Sequence, residues 1–162
     1  PAIQQLPQDM RKKIAVIFLG DGELKTGLEK QARKVSDVNV YFMGFQNQTH
    51  LSPFYHASDL LVLPSRYSET WGLVVNEALH HGIPCVVSGS VGCAPDLVKN
   101  GITGEVFDSG SVESLTLAIK NVLSFCKETR VRNQCKELIG RYTVSKAAEG
   151  IAKAYHSLPH EK

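Results

Sequence analysis

Residues 60–77 read LLVLPSRYSETWGLVVNE, and the order of residue types in this stretch sets the local path of the chain. Positions 60–63 form an unbroken apolar run closed by Pro64, the pattern of a strand covered on both faces. The next positions are mostly polar, and Gly72 then heads an apolar helical segment that stops at His81-Gly82, where a glycine can take the left-handed closing conformation. Strand, turn and helix start in that order make a phosphate site, because the first helical N–H groups lack partners and the helix dipole favours negative charge. Two carboxylates, Glu69 and Glu77, flank the glycine. They suit a ligand rich in hydroxyls, and a nucleotide-sugar has both a diphosphate and sugar rings.

The same strand signal recurs outward from this point. IAVIFLG begins at Ile14, VNVYFMG at Val38, PCVVSG at Pro84 and EVFD at Glu105. With Leu60, the starts are 21 to 24 residues apart, and most intervals carry a helical pattern. This is the βαβ repeat of a parallel sheet. The expected fold class is therefore α/β, a Rossmann-like three-layer parallel sheet of about five strands with helices on both faces. In the first interval Leu24, Leu28, Ala32 and Val35 share a helical face. In the second, HLSPFYHASD reads as a short helix interrupted by Pro53. Three further helices occupy 111–158: the first opens with a Ser111 to Ser114 start signal, and the last carries Val144, Ala148, Ile151, Tyr155 and Leu158 on one stripe. The tail SLPHEK is expected to fray.

A length of 162 residues and a mass of 17.8 kDa suit one domain over 1–162, with its core in 14–125. The formal charge of +2 gives no field for a polyanion, so composition does not support nucleic-acid binding. Arg11, Lys12 and Lys13 precede a strand and read as a solvated edge. Four cysteines without C-x-x-C spacing read as reduced thiols, which points to a cytoplasmic setting. The sequence shows no N-terminal signal and no apolar stretch of membrane-spanning length.

Ligands in open α/β sheets bind beyond the carboxyl ends of the strands, and Glu69 falls in such a loop. At about 100° per residue, Glu77 lies about 40° from Leu73 and borders the apolar stripe. Either the two acids bind ligand, or Glu77 is paired locally and Glu69 is an exposed loop acid. In the GDGE turn, Gly20 and Gly22 offer close backbone approach to a phosphate, and Gly92 in SGSVGCAPDLV offers the same. Each also reads as an ordinary strand exit. His80 and His81 sit where imidazoles meet terminal helix carbonyls. Arg66 is the nearest cation to the site, and Trp71 either walls a pocket or packs. There is no D-x-D, H-E-x-x-H, P-loop or G-x-S-x-G element. No metal or cofactor is expected, and helix-terminal amides with basic side chains would meet the charge of a leaving diphosphate.

Taken in order, FLGDGELKTGLEKQ, VNVYFMGFQ, LSPFYHASDLLVLPS, SETWGLVVNEALHHGIPCVVS and VGCAPDLVKNGITGEVF resemble the C-terminal, donor-binding domain of GT-B-type retaining glycosyltransferases, in the glycogen-synthase-like and lipopolysaccharide-transferase-like group. The resemblance covers about residues 14–125. The E-x7-E element in its PS…E…G…EA…G-x-P frame is its most specific part. It implies that Glu77 binds ribose hydroxyls and that Glu69 faces hydroxyls of the transferred sugar without acting as nucleophile. Amides of Gly72, Leu73 and Val74 would hold the diphosphate, and Phe45 and Gln46 would border the base. The implied donor is a UDP-, GDP- or ADP-sugar, and the implied acceptor is a glycan or lipid-linked hydroxyl. Transfer would proceed with retention of configuration and without a metal, in the cytoplasm or at the inner face of a membrane.

The resemblance also implies elements that are expected in the family and not found in this sequence. The family has a strand ahead of IAVIFLG with a G-R-L-x-x-x-K-G-like signature, and an N-terminal acceptor domain that closes the cleft. The chain alone is therefore expected to bind nucleotide weakly and transfer little or no sugar. The absent strand is central in the family, so the sheet must close over the gap or borrow a strand. Failing both, dimerisation or lower stability is expected, since each unpaired buried backbone group costs about 1–3 kcal/mol. Two other readings remain: a non-catalytic nucleotide-binding or scaffold domain of the same fold, and a GT-B-type sugar-nucleotide epimerase.

Overall fold

The computed structural model describes residues 1–67 and 69–158. A 3-10 turn at Ala2–Gln5 and the one-turn helix α1 (Gln8–Arg11) lead into β1 (Ala15–Phe18), α2 (Lys25–Ala32) and β2 (Asn39–Phe42). After a second 3-10 turn at Gln48–His50 come α3 (Ser52–Ala57), β3 (Leu61–Leu63), α4 (Leu73–His80), β4 (Cys85–Ser88), α5 (Ala94–Leu97) and β5 (Gly104–Phe107). Three helices follow: α6 (Val112–Phe125), α7 (Thr129–Ile139) and α8 (Val144–Ser157).

All five strands form where apolar runs were expected, and every pairing between them is parallel. Together with the helices packed around them, they make a Rossmann-like α/β architecture. Among the described residues, however, the strands form two sheets. β1 pairs with β2 in register from Ala15–Asn39 to Phe18–Phe42, while the second sheet has the order β3-β4-β5. No ladder joins β1 to β3. The gap is not closed by direct pairing.

β4 is the buried centre, and its side chains alternate between two cores, as period-two geometry requires. Cys85 and Val87 join Val75, Leu79, Leu97, Val131 and Cys135 on one face. Val86 joins Leu6, Phe107, Ile119 and Val122 on the other. Thus α4 and α7 cover one side of the three-stranded sheet, and α6 with the N-terminal turn covers the opposite side.

The N-terminal sheet departs from the expectation of strands covered on both faces. Tyr41 is 50% exposed and Leu24, at the start of the α2 face, 76%; α2 has no buried residue. Among the described residues, no element buries those side chains. Pro53 also differs from expectation: it sits in the first turn of α3 and opens the helix, because its missing N–H is an orphan position there. Arg11 is no solvated edge residue. Its guanidinium donates to the carbonyls of Gln4 and Leu6 at 2.8 and 3.0 Å and pairs with Asp37 at 3.1 Å, clasping the N-terminal turn to the loop before β2. The last helix forms as read, with Thr143 capping it, but its apolar stripe is open: Val144 is 88% and Ile151 72% exposed. Most of the tail expected to fray, residues 159–162, lies outside the described residues.

Candidate functional site

The loop from β3 to α4 is shaped by one glycine. Gly72 has φ +98°, and a Cβ there would lie 2.9 Å from Val91 Cγ1 and 3.1 Å from Leu63 Cδ2. Only glycine meets both the left-handed backbone and the packing. Because Gly72 is also the residue before the helix, α4 starts without a side-chain cap, and its first ladder bond runs from the Val75 amide to the Gly72 carbonyl at 2.9 Å.

The loop after β4 braces this turn from behind. The Gly92 amide donates to the Glu69 carbonyl at 3.3 Å and the Cys93 amide to the Trp71 carbonyl at 2.9 Å. Trp71 in turn donates its indole N–H to Asn76 Oδ1 at 2.8 Å, tying the loop to the first turns of α4, and its ring lies 6.3 Å from that of Tyr142. The result is a concavity of about 420 Å³ lined by Glu69, Thr70, Trp71, Gly72, Leu73 and Val74. It joins a carboxylate, an indole and an uncapped helix start.

Glu77 lies outside this lining. One turn further along α4, its Oε2 accepts the hydroxyl proton of Tyr55 at 2.7 Å. Tyr55 is buried in α3, and burial first, then the bond to Glu77, raises its phenol above the usual range. Sequence reasoning placed a helix here but did not single out Tyr55; the only signal was a polar-tipped ring beside Phe54 in a short, mixed helical segment. His81 behaves as its position foretold: Nδ1 lies 2.8 Å from the Glu77 carbonyl oxygen and Nε2 lies 3.0 Å from Ser52 Oγ.

The other candidate residues stand at the carboxyl ends of β1 and β2. The Gly20 amide donates to the Gly44 carbonyl at 2.8 Å, and the Gly22 amide to Asp21 Oδ1 at 2.9 Å. Both glycines thus permit close approach, but their N–H groups already have partners. Asp21 is held below the usual carboxylate range, chiefly by Lys25. Phe45 projects into solvent, and Gln46 donates to the Met43 carbonyl at 2.8 Å. Arg66 is exposed in the β3–α4 loop.

A second, larger concavity of about 540 Å³ is lined by residues of α5 and β5 with Lys99 and Asn100. Its polar groups are committed: Lys99 Nζ to the Pro95 carbonyl and Asn100 Oδ1 to the Val106 amide. Chemistry therefore favours the Glu69 concavity. Among the described residues, no group of three His, Cys, Asp or Glu side chains is placed to hold a metal ion. All four cysteines are free buried thiols, with Cys93 pushed up to about 11, first by burial.

The family model for glycosyl transferases group 1 matches residues 1–139. The chain belongs to this family. Among curated relatives, the sulfoquinovosyl transferase SQD2 of Arabidopsis thaliana is 36% identical over 136 residues, covering 82% of this chain and 24% of the plant protein. The D-inositol 3-phosphate glycosyltransferase of Mycobacterium tuberculosis is 40% identical over 93 residues, 57% of this chain and 19% of its own length. A solved structure of Anabaena Alr3699/HepE in complex with UDP superposes with a TM-score of 0.76 at 23% identity, covering 97% of this chain and 43% of that one. The chain thus spans a quarter or less of these two curated relatives and under half of that solved chain. Its α/β architecture is that of the GT-B neighbours.

Proposed function

We propose that this chain is the donor-binding part of a retaining glycosyltransferase. The observation that carries the reading is the uncapped start of α4 beside Glu69, both lining one concavity at the carboxyl end of β3. A nucleoside diphosphate-sugar fits that chemistry. Its diphosphate would lie at the Gly72–Leu73–Val74 turn, where orphan amides and the helix dipole meet negative charge. Glu69, held by its backbone through Gly92, would accept hydrogen bonds from the sugar being transferred, and Glu77 from the ribose. Gly92 serves this site from behind, while Gly20, Gly22, Phe45 and Gln46 would border the nucleoside.

As the bond from anomeric carbon to phosphate lengthens, charge builds on the leaving diphosphate. Fixed amide dipoles are worth most where charge develops, so the same turn that binds the donor would assist departure. The acceptor hydroxyl would then attack from the face that the diphosphate leaves, giving retention. Glu69 positions the sugar and does not bond to it. No metal is required in this scheme. The proposed setting is cytoplasmic; among the described residues no helix is long and apolar enough to cross a membrane. The acceptor would be held by protein beyond this chain, so the chain by itself transfers little sugar, and the free edges of β1 and β3 favour its self-association.

Calorimetric titration with UDP, GDP and ADP and with their sugars tests the reading. Glu77→Ala is expected to weaken the bare nucleotide roughly tenfold, the scale of a lost charge-assisted hydrogen bond. Glu69→Ala is expected to spare the nucleotide and remove the extra affinity of the sugar conjugate. Binding that ignores both substitutions rejects the site.

A further inference from the structure

Glu77 has no ion pair among the described residues, and its recorded partner is a hydroxyl on a different helix, Tyr55 Oη at 2.7 Å. A half-buried carboxylate without a cation is costly unless it is hydrogen-bonded. The donor is fixed from several directions. Tyr55 is 8% exposed, and its ring stacks on that of His81 at 5.0 Å between centroids and 23° between planes. His81 is anchored at both nitrogens. A carbonyl oxygen can only accept, so Nδ1 carries the hydrogen toward Glu77 O, and in the neutral ring Nε2 accepts a hydrogen bond from the Ser52 hydroxyl. Ser52 and Tyr55 belong to α3, Glu77 to α4, and His81 is the residue that closes α4. The two helices are therefore clasped by a ring of contacts that closes on the Glu77 carboxylate.

We propose that Tyr55 is the positioning residue for Glu77, fixing Oε2 so that the carboxylate presents its remaining acceptor sites to the vicinal diol of a ribose. A carboxylate has about four lone-pair sites over two oxygens, so one donated proton leaves room for two hydroxyls. The side chain would otherwise turn among rotamers, and each ordering event on binding would weaken the complex. This inference rests on the reading of Glu77 as a ribose ligand, and it assigns the clasp a role in sugar recognition beyond packing.

The test compares UDP, GDP and ADP with their 2′-deoxy counterparts on wild type, Tyr55→Phe, Glu77→Ala and the double variant. Phenylalanine keeps the ring and its stack on His81. Wild type is expected to prefer the ribonucleotide, and Tyr55→Phe to reduce that preference several-fold. The double variant should be no worse than Glu77→Ala. Because the preference is a ratio within one variant, it is insensitive to the folded fraction: a purely structural role of Tyr55 lowers both affinities together and leaves the ratio intact, which overturns the proposal. If Glu77→Ala also leaves the ratio intact, the ribose reading itself fails. If Glu77→Ala abolishes the preference while Tyr55→Phe retains it, only the positioning role falls.

Discussion

Gly92 lies directly against Thr70: its amide reaches the Glu69 carbonyl at 3.3 Å, and a Cβ on it would collide with the Thr70 carbonyl oxygen. Two loops from neighbouring parallel strands therefore meet backbone to backbone, and the acid at the concavity is placed by a residue with no side chain. Gly92→Ala must push the β3–α4 loop away. The expected outcome is loss of nucleotide binding with a stability loss of about 1–3 kcal/mol, the usual scale of overpacking. Titration and chemical denaturation of the same preparation measure the two effects.

Gly72 bears a different burden. Alanine there must hold a left-handed backbone, at about 1–2 kcal/mol, and press on Val91 and Leu63, at about 1–3 kcal/mol. The combined loss of about 2–5 kcal/mol should appear as a lowered urea midpoint with an unchanged slope. An alanine variant as stable as wild type would show that the turn relaxes.

Trp71 is the only tryptophan in the sequence and lines the concavity. Nucleotide-sugar binding at the start of α4 is expected to change its fluorescence in a saturable way. Glu69→Ala should shift the midpoint for UDP-glucose more than for UDP. A signal that never saturates would place the nucleotide elsewhere.

High pH should destabilise the core through its thiols. Burial raises Cys93 to about 11 and Cys135 to about 12, from an ordinary value of about 9. A raised folded pKa means that the folded state holds protons that the unfolded chain releases. That stability is fully present below about pH 9 and drains away as pH climbs through 11 and 12. Thermal midpoints measured from pH 8 to 12 should therefore fall, and replacing Cys93 and Cys135 by alanine should flatten the alkaline limb while lowering the neutral plateau.

Much of this was legible in the sequence because the signals were local. Continuous apolar runs at a regular pitch gave all five strands, and glycines at 72 and 82 gave both ends of α4. The Ser111 cap on α6 was also readable, since its hydroxyl accepts from the Ser114 amide at 3.1 Å, three residues on. What could not be read depends on contacts between distant residues. The partnership of Tyr55 with Glu77 spans 22 positions. The brace from Gly92 to Glu69 joins separate loops, so neither loop read alone reveals that the Thr70 backbone lies against Gly92. Burial of β1 and α2 was overestimated because periodicity states which face is apolar, not whether anything covers it.

The division of the strands into two ladders has a consequence for cooperativity. Residues from β3 onward own a closed interior on both sides of β4, whereas the parallel β1–α2–β2 unit has no buried residue in either strand or in α2 and is tied to the N-terminal turn through Arg11 and Asp37. Amide hydrogen exchange should accordingly be graded, slow at Val86 and Val87 and fast at Val16 and Val40. By that measure the part that would grip phosphate and sugar is expected to be held before any ligand arrives, and the less buried part that would face the nucleobase is expected to lose conformational freedom on binding. Any added segment that knits the two ladders together should tighten nucleotide binding without touching the nucleotide, by sparing it that entropic toll.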